Sequence, residues 1–354
     1  MILSKIWEKK IFFRVIKTLL FFLISISLLV IIIDFTVHGV KIFTHNLSSF
    51  LLVVRYYVNL IIIQLNLFLS LTFLLASIKV LADMNIHHEL TALRMAAISS
   101  KKLARPFFLI ALILVGISYI NFEYLYPNAL NFKDNFKEKY LKKTKYEKKI
   151  HPNVIYLENN IRLVYQKFDI AKKELLDVFI IKTNSDIWHA KYLYLDQSMA
   201  HGKFVDHLIR NNAYFEKEKS YLTFAFQDIK LDKNTFVFAP LENRSITTLY
   251  KQSLSQTICP KEKNELLANL YYKIIIPLIP LLIVFCTFPF LIAFSKNISI
   301  FYICTFSIFG LVIFYTIMDS ALIFSESSSV SPHIIMWIPI VGITLFFRKK
   351  FQKI

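Results

Sequence analysis

Phosphate chemistry is the first that the residues of this chain fail to support. A loop that grips phosphate needs paired glycines ahead of Lys and Ser or Thr, because the backbone must curl round the anion. The five glycines, Gly39, Gly116, Gly202, Gly310 and Gly342, are too scattered for that, so the chain does not itself hydrolyse ATP by such a loop. His87-His88-Glu89 opens like the helix of a zinc protease, but the position of the second histidine, one turn later, holds Ala92. His189, His201 and His207 lack ligand spacing and have no cysteines nearby; they read as solvent-facing strand residues. Cys259, Cys286 and Cys304 are too few for a disulfide framework, and two of them lie in apolar runs. Lipid-modifying chemistry would need His, Asp or Glu clustered at a membrane surface, and the sequence offers no such constellation. The expectation is a chain with no catalytic, cofactor-binding or metal-binding residues of its own.

Two features remain. Asp34 and Asp319 close apolar runs, where an ionised group is costly in lipid, and they read as charges at the membrane interface. The other feature is the segment His88-Glu89-Leu90-Thr91-Ala92-Leu93-Arg94-Met95-Ala96-Ala97-Ile98-Ser99. On a helix, Leu90, Leu93 and Ala97 share one face, with Glu89, Ala92 and Ala96 beside it. Small alanines permit close approach of another surface, and Glu89 and Arg94 can make charge-assisted hydrogen bonds. Such a helix suits a docking element, and suits equally an interfacial helix with its leucines among lipid headgroups.

A largely apolar chain must position these residues. Hydrophobic types make up 56% of 354 residues and the mean hydropathy is +0.51, more than a soluble domain of this size can bury. The net charge of +18 does not signal nucleic acid, because the basic residues flank apolar runs or crowd into 133–149 instead of striping a foldable domain. That lysine-rich stretch, with Phe132, Phe136 and Tyr140 at helical spacing, reads as an amphipathic helix leading out of the membrane. Six runs have the length of a membrane span: 18–33, 56–78, 106–122, 274–295, 297–318 and 327–347. Pro106 is expected in the first turn of the third, where its missing N–H is harmless. The first run exceeds a signal-peptide core and lacks a small-residue cleavage site, so it reads as a retained helix.

Between the third and fourth runs charges return. Strands are expected at 153–157, 161–167, 177–183, 187–195, 204–215 and 221–231, with turns at 158–160, 183–186 and 216–219. Their regular spacing favours a sandwich or jelly roll. Orientation follows from the short loops. Basic residues gather before the first span, between the second and third (Lys79, Arg94, Lys101, Lys102, Arg105) and in the tail (Arg348, Lys349, Lys350, Lys353). Both termini are therefore expected in the cytoplasm and the β domain in the periplasm.

The segment from Glu89 to Ser99, followed by Pro106, resembles the cytoplasmic loop signature of the LptF/LptG permease family. These are the transmembrane subunits of the lipopolysaccharide export ABC transporter. The resemblance continues in Tyr126-Pro127-Asn128-Ala129, in Asp186-Ile187-Trp188-His189-Ala190, and in Pro332 and Trp337 to Pro339. The family usually has Gly where this chain has Ala97, and prolines near the start of span two where it has Gln64, Asn66 and Leu67. The first departure touches a local turn; the second suggests a less kinked helix.

The resemblance implies an α+β membrane protein of six transmembrane helices, three and three, with a periplasmic β-jellyroll between helices three and four. Its boundaries would be 1–122, with a cytoplasmic coupling helix at 84–100, then 123–270, then 271–354. The place implied is the bacterial inner membrane, and the activity is transport without catalysis. The partners implied are a cytoplasmic LptB-type ABC ATPase dimer, a paralogous permease subunit, single-span and periplasmic jellyroll bridge proteins, and lipopolysaccharide as substrate. Glu89 would pair with an arginine of the ATPase, and Leu90, Leu93, Arg94 and Ala97 would complete the contact. A cavity between spans one and five of the two permeases would shrink as the ATPase closes. The jellyroll would take acyl chains into its interior, at positions such as Ile161, Val164 and Phe226, and extend a β bridge by strand addition. Lys41 and Arg55, near the periplasmic mouth, would meet lipid A phosphates or anchor the interface. The alternative is a membrane scaffold or envelope-assembly protein with the same layout and no transport activity.

Overall fold

In a computed structural model of the chain, the described residues are 5–44, 50–136, 153–156, 161–169, 174–183, 186–195, 199–211, 214–226, 241–254, 260–292, 300–327 and 331–352. They fall into two units. One comprises Met1–Lys142, Leu241–Tyr250 and Asn264–Ile354; the other comprises Lys143–Pro240 and Lys251–Lys263.

The first unit is helical because lipid offers the backbone no partner, so apolar runs must satisfy their own N–H and C=O groups. Its elements are α1 (Ile6–Thr44), α2 (Phe50–Ile86), α3 (Glu89–Met95), α4 (Ser100–Ile120) and, after a π-helical turn at Asn121–Leu125, α5 (Tyr126–Phe136). They continue with α6 (Ile246–Ser253), α7 (Pro260–Ile275), α8 (Ile279–Ile292), α9 (Ile300–Ser327) and α10 (Pro332–Gln352). Among the described residues, five stretches are long and apolar enough to cross a membrane: Ile6–His38, Leu51–Ile86, Lys101–Lys133, Lys263–Phe290 and Phe301–Glu326. The expected sixth span coincides with α10, whose described apolar stretch, Pro332–Phe347, is shorter than these.

The helices outrun the apolar segments that predict them, since a helix keeps its hydrogen bonds when it passes into the headgroup layer. Two corrections follow. α4 starts at Ser100, so Pro106 lies inside the helix instead of in its first turn. The fourth crossing starts at Lys263, ahead of the expected 274, and a 3-10 turn at Ile276–Leu278, holding Pro277, joins α7 to α8. Asp319 lies within α9 and accepts a 2.7 Å hydrogen bond from the Tyr272 hydroxyl of α7.

The core of this unit brings Val15 of α1, Phe73 and Met84 of α2, Phe107 of α4 and Phe288 of α8 together with Met318 and Met336 of α9 and α10. Some polar atoms in it are paired across helices, although Asn121 Oδ1 and Asn66 Nδ2 are buried without a hydrogen-bond partner. Asn121, fully buried, donates to the Ile62 carbonyl (3.2 Å) and to Asn66 Oδ1 (3.3 Å), and Tyr315 donates to Ser70 Oγ (3.2 Å). The expected β-domain limits, 123 and 270, fall within helices that cluster with this unit.

The second unit holds an antiparallel sheet of six strands paired strictly in chain order: β1 (Asn153–Tyr156), β2 (Arg162–Asp169), β3 (Glu174–Thr183), β4 (Asp186–Leu195), β5 (Ala200–Asn211) and β6 (Tyr214–Phe226). Among the described residues this is an up-and-down meander, and the crossovers of a jelly roll are absent. The turn expected at 216–219 is not there. Asn211 pairs with Tyr214, so Glu216, Lys217, Glu218 and Lys219 belong to β6, which shifts register by one residue at Glu218, between the Leu208–Lys217 and His207–Lys219 pairs. All four are exposed on the last strand in the sheet order, where charge blunts an open edge.

One face of the sheet is apolar, and its two-residue period changes phase part-way along. Leu175 is buried, then Val178 and Ile180; Ala190 is buried, then Leu193; Gly202 is buried, then Val205. Asp177 (φ 51°) and Phe204 (φ 54°) adopt left-handed backbone at this level, while the pairing register runs through both unchanged; the register shifts lie at Ile181/Thr183 and His207/Leu208.

Candidate functional site

The segment between α2 and α4 is built by two reversals of the backbone. His88 (φ 57°) turns the chain out of α2, and α3 then makes barely two turns. At its end Ala97 takes a left-handed conformation (φ 56°). The Ile98 N–H donates to the Leu93 carbonyl (3.2 Å) and the Ala97 N–H to that of Arg94 (3.0 Å). This is the Schellman arrangement, which a glycine would adopt without strain. The turn forms despite the alanine.

α3 does not present the face expected of it. Leu90 is buried at 3% exposure in the helical core, and Leu93 packs half-buried against the same core. Ala97 follows the helix end and is exposed, so it shares no helical face with them. The outward surface consists of Thr91, Ala92, Arg94, Met95 and Ala96. Met95, 85% exposed, did not stand out in the sequence; its place one turn after Thr91 was the available signal.

Glu89 is held from a distance in sequence. Arg14 Nη1 donates to Glu89 Oε2 at 3.0 Å, and Lys10 Nζ lies 3.5 Å from Oε1. Both cations belong to α1, among the basic residues that gather before the first span. The Glu89 carboxylate keeps 33% of its surface, and Lys10 is 70% exposed. Such a pair adds about 0–1 kcal/mol to stability. A carboxylate has about four lone-pair sites, so Glu89 can accept a further cation at Oε1.

Other expected positions are dispersed. Lys41 lies in α1, its side chain outside the described residues. Arg55 is exposed, its guanidinium 4.8 Å above the Phe132 ring of α5. On the sheet, Ile161 and Phe226 join the apolar face, whereas Val164 lies on the face opposite Leu163 and Tyr165.

Trp188 anchors the apolar face of the sheet, with ring centroids 4.1 Å from His207, 4.8 Å from Phe224 and 5.6 Å from Phe226. Contrary to the solvent-facing reading, His189 and His207 are half-buried. His189 Nε2 lies 3.1 Å from Asp177, and His207 lies 2.8 Å from both Asp186 and Glu218. No group of His, Cys, Asp or Glu among the described residues could hold a metal ion.

A helical membrane unit, a short helix between its second and third long helices, and an antiparallel sheet inserted in the chain form the pattern to be matched. The model of the family "Lipopolysaccharide export system permease LptF/LptG" matches residues 9–347, nearly the whole chain. The chain belongs to the LptF/LptG family. Among curated proteins none matches it. Membership makes it a member of the lipopolysaccharide export permeases, multi-pass in a membrane. In chain order, α3 falls between the second and third long helices, and the strands fall between α5 and α6.

Proposed function

We propose that this LptF/LptG member is a non-catalytic permease subunit of an ABC transporter. It extracts lipopolysaccharide from the inner membrane and passes it to a periplasmic β bridge. α10 makes the sixth crossing: its apolar stretch, Pro332–Phe347, rises about 24 Å, and the helix runs on to Gln352 through basic residues, a type that snorkels to the headgroups, to complete the span. Both termini and α3 lie in the cytoplasm, because Lys79, Arg94, Lys101, Lys102 and Arg105 gather round the α2–α4 connection. The sheet lies in the periplasm, as part of a jellyroll that carries acyl chains against the Trp188 face.

The observation that carries the coupling step is the ion-paired Glu89. A partner ATPase docks on Ala92, Met95 and Ala96, and one of its arginines reaches the Glu89 carboxylate. Glu89 is already bonded to Arg14, and Leu90 is rooted in the core, so displacement of α3 is passed to α1 and α2. α1 is a suitable receiver. Only 11% of its most apolar window is buried, against 56% for the window in α2, which leaves its face for a paralogous permease or for lipid. The corresponding window of α9 is 17% buried, in keeping with a cavity between spans one and five.

Co-purification with the cognate ATPase tests this reading. Glu89→Ala is expected to lower ATPase retention by about ten-fold, the equivalent of one charge-assisted hydrogen bond, and Glu89→Lys to abolish it. Retention unchanged in both variants would remove Glu89 from the mechanism.

A further inference from the structure

A groove between α4 and α8 carries a binding chemistry that the transport reading leaves unused. It encloses about 390 Å³, with Lys101, Arg105 and Phe108 on the α4 side and Val284 and Phe285 on the α8 side. Helix geometry sets the order of these groups. Lys101 and Arg105 are four residues apart in the first two turns of α4, so they share a face about 6 Å apart along the axis. Phe108 lies on that face about one turn deeper into the apolar span. Ala104, buried and with only a methyl group, leaves the space between them open. Phe108 is 41% exposed and Phe285 37%, so both rings line open space instead of filling the core.

The groove thus runs from two cations at the end of a membrane helix to an aromatic-walled interior. No residue lining it is acidic. Lys101 and Arg105 have no ion pair or hydrogen bond among the described residues. We propose that this groove binds one acidic glycerophospholipid from the leaflet at which α4 begins. Lys101 and Arg105 hold its phosphate, and one acyl chain runs between Phe108 and Phe285. Charge complementarity and the depth order of the groups select this occupant. A soluble anion would use the rim alone, and an uncharged apolar ligand would leave both cations unanswered. The headgroup cation of a zwitterionic lipid would be set against Arg105. The proposal requires only that α4 spans the membrane, so it stands or falls separately from ATPase coupling.

The test is native mass spectrometry of the full-length protein, titrated with phosphatidylglycerol or phosphatidylcholine of matched acyl chains. Two basic residues at a membrane surface predict retention of the first phosphatidylglycerol at least about ten-fold stronger than of phosphatidylcholine. K101Q/R105Q is expected to lose that preference and K101R/R105K to keep it. A benzophenone side chain in place of Phe108 is expected to crosslink phosphatidylglycerol in vesicles. Soluble glycerol phosphate is expected not to compete, since it has no acyl chain for the aromatic walls. A preference that persists in K101Q/R105Q, or is absent from the wild type, would reduce both cations to interface anchors. Competition by glycerol phosphate would replace the lipid site with a simple anion rim.

Discussion

At the scale of single residues, Glu89 has two jobs that mutation can separate. Arg14→Glu sets two carboxylates against each other, and E89K/R14E restores an opposite-charge pair between α3 and α1. The double variant is expected to recover the thermal stability lost by Arg14→Glu, at most about 1 kcal/mol, without recovering ATPase retention. Recovery of both in a pull-down would mean that the ion pair only positions α3. Ala97 offers a second test. A non-glycine residue at φ 56° carries about 1 kcal/mol of backbone strain. Ala97→Gly is therefore expected to slow hydrogen exchange at the Ile98 amide about five-fold, because the Schellman bond opens less often.

At the scale of elements, the sheet depends on close approach across β5 and β6. A Cβ added at Gly202 would lie 2.6 Å from Val205 Cγ2 and 3.1 Å from Phe226 Cε2. Gly202→Ala is expected to destabilise the sheet by about 1–3 kcal/mol, read as faster exchange of β5 and β6 amides with the helices unaffected. The same strands carry a pH response. Hydrogen bonds from Lys217 and Ser220 hold Asp206 below the usual carboxylate range. A lowered carboxyl stabilises the fold above its unfolded pKa, and that contribution is lost as pH falls through the folded value. Lys217→Ala is expected to raise the Asp206 pKa, measurable by carboxyl NMR titration, and to flatten the acid limb of sheet stability. The run 216–219 reads as a turn in the sequence because both faces of an edge-strand end meet water, so nothing forces its residues to alternate.

At the scale of the whole molecule, the apolar faces of α1 and α9 need covering. Cysteines at Ile24 and Ile313, 57% and 42% exposed, are expected to crosslink to the paralogous permease in membranes of a cysteine-free background. Capture of identical copies alone would contradict a mixed pair. Depletion of the chain is expected to leave newly made lipopolysaccharide in the inner membrane, as membrane fractionation would show. Normal arrival at the cell surface, with no second gene to compensate, would refute the transport reading.

The sequence alone determined the order of helices and strands, because a span needs only an uninterrupted apolar run and a strand only local patterning. It also marked 89–99 as the segment to watch, through residue types that lie close together in the chain. Tertiary structure decided which face of that helix looks outward. Leu90 could be read as a contact or as a root until α2 and its neighbours closed over it. The bond from Arg14 to Glu89 spans 75 positions and leaves no local trace. The phase change at Asp177 and Phe204 was equally hidden, because neither is a glycine and their left-handed backbone is set by the strands paired on each side.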